Sequence, residues 1–333
     1  MLKYLTAGES HGKLITGILD GFPAGVSIPK EFICGQLRRR RLALGRSPRQ
    51  KSESDDIIIT GGWHNGCTTG APIGVLLRNA VRNKPQPSGM LRTCHADYGG
   101  MVKYGLEDAV LVRERASARE TAARMALFSF PVFLCNELGI NFSSCVYSLG
   151  GREVSSPEEA EKIIAASQAA GDTAGGSFRL EISGVPAGLG SYAQGSRRMF
   201  SALAAELAAI PAVKSVSCGV PDLAAMPGTA MAAEPGSCGG IDGGISSGGK
   251  ILLHCSVKPV PGTKTAVPAR DLHAGQIVSS SSSTSDITAV YAAAVIAEGA
   301  AAFVIADLIL EKFGGDSFAE LSGRLAQWRK EIR

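Results

Sequence analysis

Two short segments set a histidine among groups that can tune its proton. In Gly8-Glu9-Ser10-His11-Gly12, glycines bracket a polar triplet, so the backbone can turn tightly or approach a ligand closely, and His11 can change charge near neutral pH. The same residues also read as a hairpin turn carrying a surface histidine. In Arg92-Thr93-Cys94-His95-Ala96-Asp97-Tyr98-Gly99-Gly100, His95 stands two residues before an acid. It reads either as a positioned acid/base or as a core histidine satisfied by Asp97. The five histidines show no HxH or HExxH spacing and none pairs with cysteine at zinc-site spacing, so no metal site is expected.

The cations come next. Arg38, Arg39, Arg40 and Arg41 are consecutive and are followed by Arg46, Arg49 and Lys51. On a helix, four consecutive arginines point around the whole circumference and cannot all serve one face. Arg46 and Arg49 lie in a loop with Gly45 and Pro48, where guanidiniums can converge on a phosphate or carboxylate. A solvated basic face and a nucleic-acid contact are the competing readings, although no aromatic residue interleaves the run for base stacking. A further run, Arg115-Ala116-Ser117-Ala118-Arg119-Glu120-Thr121, opens a long helix and reads as an anion site, as a Ser117 cap with Glu120 closing a capping box, or as both. Asp286, just before another long helix, reads as an N-cap or an active-site carboxylate. The glycine-rich run 239–248 is neither a P-loop nor a dinucleotide fingerprint.

These residues need a scaffold. Strands are expected at 4–7, 14–19, 56–60, 73–77, 178–182, 213–218 and 251–257, and amphipathic helices at 31–41, 157–169, 197–209 and 317–332. Residues 117–138 and 287–310 are apolar on nearly all faces, the first with Pro131 as a kink or break. The second is long enough to span a bilayer, but Glu298 and Asp307 inside it favour a helix buried in protein. Two such helices imply a helical layer covered on both sides. The irregular order of elements favours α+β layers over a doubly wound sheet. The serine run 279–283 reads as a mobile loop. The 333 residues show no internal repeat and no convincing linker. With 34 basic and 30 acidic residues the net charge is +4, too small for a global nucleic-acid or membrane field. The eight cysteines are scattered singly and read as reduced thiols in a cytoplasmic protein, and the N-terminus lacks the apolar core of a secretory signal.

Taken in order, residues 8–12, His95-Ala96-Asp97-Tyr98, residues 117–121, Gly243-Gly244-Ile245-Ser246 and Ser285-Asp286 resemble the motifs of the chorismate synthase family. The resemblance covers nearly the whole chain, apart from the tail after about Gly314. It implies an α+β fold with residues 1–333 as a single domain, a β-α-β sandwich whose helices lie between two antiparallel sheets, and a homotetramer. It implies a lyase of the shikimate pathway that converts 5-enolpyruvylshikimate 3-phosphate to chorismate and phosphate by anti-1,4-elimination. Reduced FMN is the implied cofactor, with NADPH or an external reductant supplying the electrons. By resemblance His11, His95 and Asp286 are catalytic, and Ser10, Arg40, Arg46, Arg49, Arg92 and Arg119 bind substrate. Arg40, Arg46, Arg115, Ala116, Ser117, Ser237, Cys238, Gly243, Lys258, Pro259, Val260, Pro261, Gly262 and Thr284 fall on cofactor-contacting stretches.

Three departures stand out. Thr93-Cys94 replaces the family's usual Pro-Gly before the second histidine, and Gly236-Ser237-Cys238-Gly239-Gly240 replaces Asn-x-Ala-Gly-Gly. Thr284 occupies the position of a basic residue two places before the aspartate. The alternative they keep open is a catalytically impaired paralogue that still binds flavin or a phosphorylated metabolite.

Overall fold

The computed structural model describes residues 2–332 except 52, 54, 81–84 and 283–285, and of Arg49 the backbone alone. Thr284 therefore lies outside the described residues. Four strands, β1 (Lys3–Gly8), β2 (Leu14–Asp20), β3 (Ile57–Gly61) and β4 (Ile73–Arg78), form one antiparallel sheet in the order β1-β2-β4-β3. A second antiparallel sheet joins β5 (Asn141–Leu149), β6 (Arg152–Glu153), β7 (Gly176–Ser183), β8 (Val213–Cys218) and β9 (Ile251–Val257) in the order β8-β9-β7-β5-β6. Alternation sets the inner faces. In β4, Ile73, Val75 and Leu77 are buried, and in β7 so are Phe178, Leu180 and Ile182.

The helices are α1 (Lys30–Arg41), the short α2 (Asp97–Tyr104) and α3 (Ala109–Arg115), which pack on each other around a separate small cluster of Met101, Ala109 and Val112, then α4 (Glu120–Glu137), α5 (Met199–Ala208) and α6 (Val290–Phe313), with α7 (Phe318–Glu331) following. Helix α4 packs on the first sheet, α6 on the second, and the two against each other. Gly299 marks their crossing: a Cβ there would meet the Phe128 Cβ at 3.0 Å. The apolar stretch with membrane-span length is thus a core helix, with 83% of its window buried in protein. Its charge is answered inside the fold, because Glu298 accepts from the Ser144 hydroxyl at 2.6 Å and pairs with Arg39 at 2.7 Å. One apolar cluster runs from Leu2 to Leu325 through both sheets.

Several expectations change. Helix α4 continues through Pro131 unbroken, with Phe130, Pro131 and Val132 all buried between the layers. It begins at Glu120, and no capping box forms: the Glu120 carboxylate goes to the Thr6 hydroxyl and Arg124 instead. Strand β5 and the hairpin β10 (Val267–Asp271) with β11 (Gln276–Ser280) were not expected from sequence. Ser279 and Ser280 of the serine run are paired in that hairpin rather than looped. At the C-terminus the expected Ser317 cap forms, accepting the Glu320 N–H at 3.3 Å.

Candidate active site

Helix α3 holds both histidines from adjacent positions. Its apolar residues Ala109, Val110 and Val112 are buried, which leaves Arg113 and Glu114 to reach in different directions. The Glu114 carboxylate takes His11 Nδ1 at 2.6 Å and the His11 backbone N–H at 2.8 Å, while its carbonyl accepts from Ser10 N–H at 3.0 Å. Arg113 Nε donates to Asp97 at 2.8 Å, and Asp97 takes His95 Nδ1 at 2.6 Å and the Arg92 backbone N–H at 2.8 Å. Burial alone would raise the Asp97 pKa, but the hydrogen bonds from His95, Arg92 and Arg113 outweigh it and hold the carboxyl below its ordinary range. A carboxylate on each Nδ1 fixes Nδ1–H and leaves Nε2 free for chemistry. Both rings keep an accessible edge, at 15% exposure for His11 and 20% for His95.

The arginines divide by direction. Arg39 goes to Glu298, while Arg40 turns inward at 1% exposure, donating to the Thr121 hydroxyl at 2.9 Å and the Ala118 carbonyl at 3.1 Å. Burial, and then the neighbouring Arg46, pull the Arg40 guanidinium down to about 9. It is a buried cation short of counter-charge. Arg46 is also buried; its Nη1 meets Asp286 at 2.6 Å, and its Nε has no partner among the described residues. Asp286 further accepts from Ser47 N–H at 2.8 Å. It therefore caps no helix; the Thr288 hydroxyl accepts the Val290 N–H at 3.3 Å instead. Gly45 makes this seating possible. It sits at φ +79°, and a Cβ there would lie 2.3 Å from the Thr288 side chain.

Arg119, expected to touch substrate directly, is fully enclosed. Its Nε donates to Asn79 at 2.9 Å, Nη1 pairs with Asp55, and Nη2 donates to the Arg78 carbonyl at 3.1 Å with Glu53 at 3.6 Å. Asn79 in turn donates to the carbonyls of Glu9 and Gly12. Arg119 thus braces the His11 loop from behind. The Ser117 hydroxyl donates to the Ser10 hydroxyl at 3.1 Å, Arg115 is bound to Thr6 on an exposed surface, and Ala116 closes α3.

Followed from residue to residue, these contacts close into a ring. His11 leads through Ser10 and Ser117 to Ala118 and Arg40; Arg40 feels the like charge of Arg46 without a hydrogen bond between them, and Arg46 pairs with Asp286. Ile287 then holds Ala174, the Thr173 hydroxyl holds the Val260 carbonyl, and Lys258 reaches the Cys94 carbonyl beside His95. Asp97, Arg113 and Glu114 return to His11. The stretch from Lys258 through Pro259, Val260 and Pro261 to Gly262 therefore crosses the ring. Ser237, Cys238 and Gly243 do not join it within one chain. Gly239 and Gly240 approach Leu252 and Lys250 at the start of β9, whereas Lys258 follows its end, roughly 20 Å away along a strand of this length.

Glu114, Arg113, Asn79 and Asp55 were missed by sequence reasoning. For the first two a signal existed, since charged residues that follow directly on the apolar run 109–112 and are drawn into the fold with it must find partners. Nothing local marks Asn79 or Asp55, whose partners lie 40 and 64 residues away.

A helix-filled sandwich of two antiparallel sheets, bearing two carboxylate-braced imidazoles and buried guanidiniums, has the groups of an enzyme acting on a small molecule. A family profile for chorismate synthase matches residues 2–310. The chain is 38% identical over 338 residues to the chorismate synthase of Caldanaerobacter subterraneus subsp. tengcongensis, covering 96% of each protein. It is 34% identical over 391 residues, along the whole of both chains, to that of Desulforamulus reducens. A crystal structure of chorismate synthase superposes with a TM-score of 0.80 at 30% identity, covering 99% of this chain and 98% of the other. The chain belongs to the chorismate synthase family, enzymes of the shikimate pathway that work with a flavin.

Proposed function

We propose that the protein is a lyase that uses reduced FMN to convert 5-enolpyruvylshikimate 3-phosphate to chorismate and phosphate by anti-1,4-elimination, as a cytoplasmic homotetramer of single-domain chains. The observation that carries this reading is the under-neutralised Arg40–Arg46 pair in the same ring as two imidazoles braced at Nδ1. A phosphate with two carboxylates would supply the charge that pair lacks.

The residues suit a flavin. The orphaned Arg46 Nε needs an acceptor, and the hydroxyls of Ser117 and Ser10 meet beside His11. Arg40, Arg115, Ala116, Ser117 and residues 258–262 would hold it. When bound, reduced FMN supplies the electron density that lets phosphate depart. His95 Nε2 gives a proton to the departing phosphate, and Asp97, kept ionised by Arg113, steadies the imidazolium. His11, held at Nδ1 by Glu114, would present its Nε2 proton to a bound flavin. Asp286, oriented by Arg46 and Ser47, would accept at its carboxylate the proton that the substrate loses in the elimination. Arg40, Arg46, Arg49 and Arg92, with the Ser10 hydroxyl, orient the substrate anions, and Arg119 holds the wall. Ser237, Cys238 and Gly243, at the other end of β9, serve the flavin of a neighbouring subunit.

Anaerobic titration with FMN, with and without the substrate, tests the reading. Tighter flavin binding and a changed absorbance spectrum in the presence of substrate are expected. Flavin binding indifferent to the substrate would contradict it.

A further inference from the structure

The turn that carries His11 is gripped from two sides. On one side its backbone donors meet α3, Ser10 N–H at the Glu114 carbonyl (3.0 Å) and His11 N–H at the Glu114 carboxylate (2.8 Å). On the other side its carbonyls meet Asn79, the residue after β4, whose side chain is enclosed at 1% exposure. Asn79 Nδ2 donates to the Glu9 carbonyl at 3.0 Å and to the Gly12 carbonyl at 2.9 Å, so one amide group spans the segment that holds Ser10 and His11. The Gly12 N–H closes the same turn on the Glu9 carbonyl at 3.1 Å.

The orientation of that amide is chemically forced. Its oxygen accepts from Arg119 Nε at 2.9 Å, a group that can only donate, and its nitrogen faces two carbonyls that can only accept. A flipped amide would lose all three bonds. Arg119 cannot swing to allow a flip, because Asp55, Glu53 and the Arg78 carbonyl hold its other nitrogens. The contacts thus run from a pair of acids through Arg119 and Asn79 to the turn of His11.

We propose that Asn79 is a positioning residue for His11. Its two amide protons set the path of residues 9–12 and so place the imidazole against Glu114. Enclosed as it is, Asn79 meets no ligand itself, and its part in the reaction rests on the role given above to His11.

Two substitutions separate the donors of Asn79 from its acceptor. Asn79→Asp keeps the shape and an oxygen for Arg119 but turns lone pairs toward the two carbonyls, and Asn79→Ala removes both sets of contacts without adding a buried charge. Each should lower kcat by about 10- to 100-fold, the loss expected when a reacting group shifts by about 1 Å. The substrate KM should move by less than about threefold, because the anion-binding arginines keep their contacts. In a His11→Ala background either substitution should cost less than about threefold more; losses that multiply in full would make the role generally structural and overturn the proposal.

Magnetic resonance of ring-labelled histidines gives a readout apart from the reaction. The His11 signal, identified by its loss in His11→Ala, should shift or broaden in both Asn79 variants, while that of His95, which is held by Asp97 instead, stays in place. An unchanged His11 signal would overturn the positioning role. A displaced His11 signal with wild-type turnover would leave the positioning standing and remove His11 from the reaction. In the parent, the Asn79 side-chain amide protons should be protected from solvent exchange, and rapid exchange would overturn the grip without any substitution.

Discussion

Arg40→Met puts the ring's electrostatics to the test. Burial and Arg46 lower the Arg40 pKa from the ordinary arginine range to about 9, so the charged form is disfavoured in the fold. At about 1.36 kcal/mol per unit, carrying that charge costs on the order of a few kcal/mol. The substitution orphans nothing, since the Ala118 carbonyl still accepts the Thr121 hydroxyl at 2.6 Å, Asp55 keeps Arg119 and Asp286 keeps Arg46. Replacing such an ion by an apolar side chain is commonly neutral to about 4 kcal/mol stabilising. Urea unfolding at neutral pH should therefore show Arg40→Met at least as stable as the parent, while turnover falls by roughly 100-fold or more through lost anion stabilisation. The sign with pH follows. From about 9 up to the ordinary arginine range the unfolded chain binds more protons than the folded one, so the parent gains stability as pH rises through that window. The advantage of the variant is full below 9 and shrinks above it. Destabilisation by more than about 1 kcal/mol at neutral pH would refute the reasoning, because it would make Arg40 a net structural contact.

His11→Ala and His95→Ala should each lower turnover by roughly 10- to 10⁴-fold with the far-ultraviolet dichroism unchanged; near-normal activity in either removes that histidine from the mechanism. Because the Asp97 pKa is lowered in the fold, its stabilisation is complete above the unfolded value of about 3.9 and is lost as pH falls through the folded one. Asp97→Asn should accordingly flatten the acid limb of a stability-against-pH curve, and an unchanged limb would contradict the assignment. Gly45→Ala forces a Cβ into Thr288 from a positive φ, so it should cost about 1–3 kcal/mol in thermal unfolding and weaken substrate binding by displacing Arg46 from Asp286. Wild-type stability together with wild-type affinity would sink that role.

The layered fold was legible because apolarity around the whole circumference of 117–138 and 287–310 has few solutions other than a helix covered on both sides. Strand β5 was hidden by its own chemistry. Its inward face includes Ser144, which answers Glu298, and a register shift between Val146 and Ser148 breaks the period of two. The β10–β11 hairpin was obscured by Pro268 and by serines that carry little pattern. Within the site, the histidines and the loop arginines could be nominated from residue type and neighbours. Their orientation could not, because Glu114 lies 103 residues from His11 and Asp286 lies 240 from Arg46. Arg40 and Arg119 looked alike in sequence. Only packing separates an under-neutralised cation from one already held by Asn79, Asp55 and Glu53.

The most direct measurement is anaerobic turnover of the purified protein with chemically reduced FMN and 5-enolpyruvylshikimate 3-phosphate, following chorismate and phosphate together. Equimolar formation of both, dependent on reduced flavin and lost in the His95→Ala variant, is the predicted result. Tight binding of flavin and substrate with no chorismate formed would contradict it.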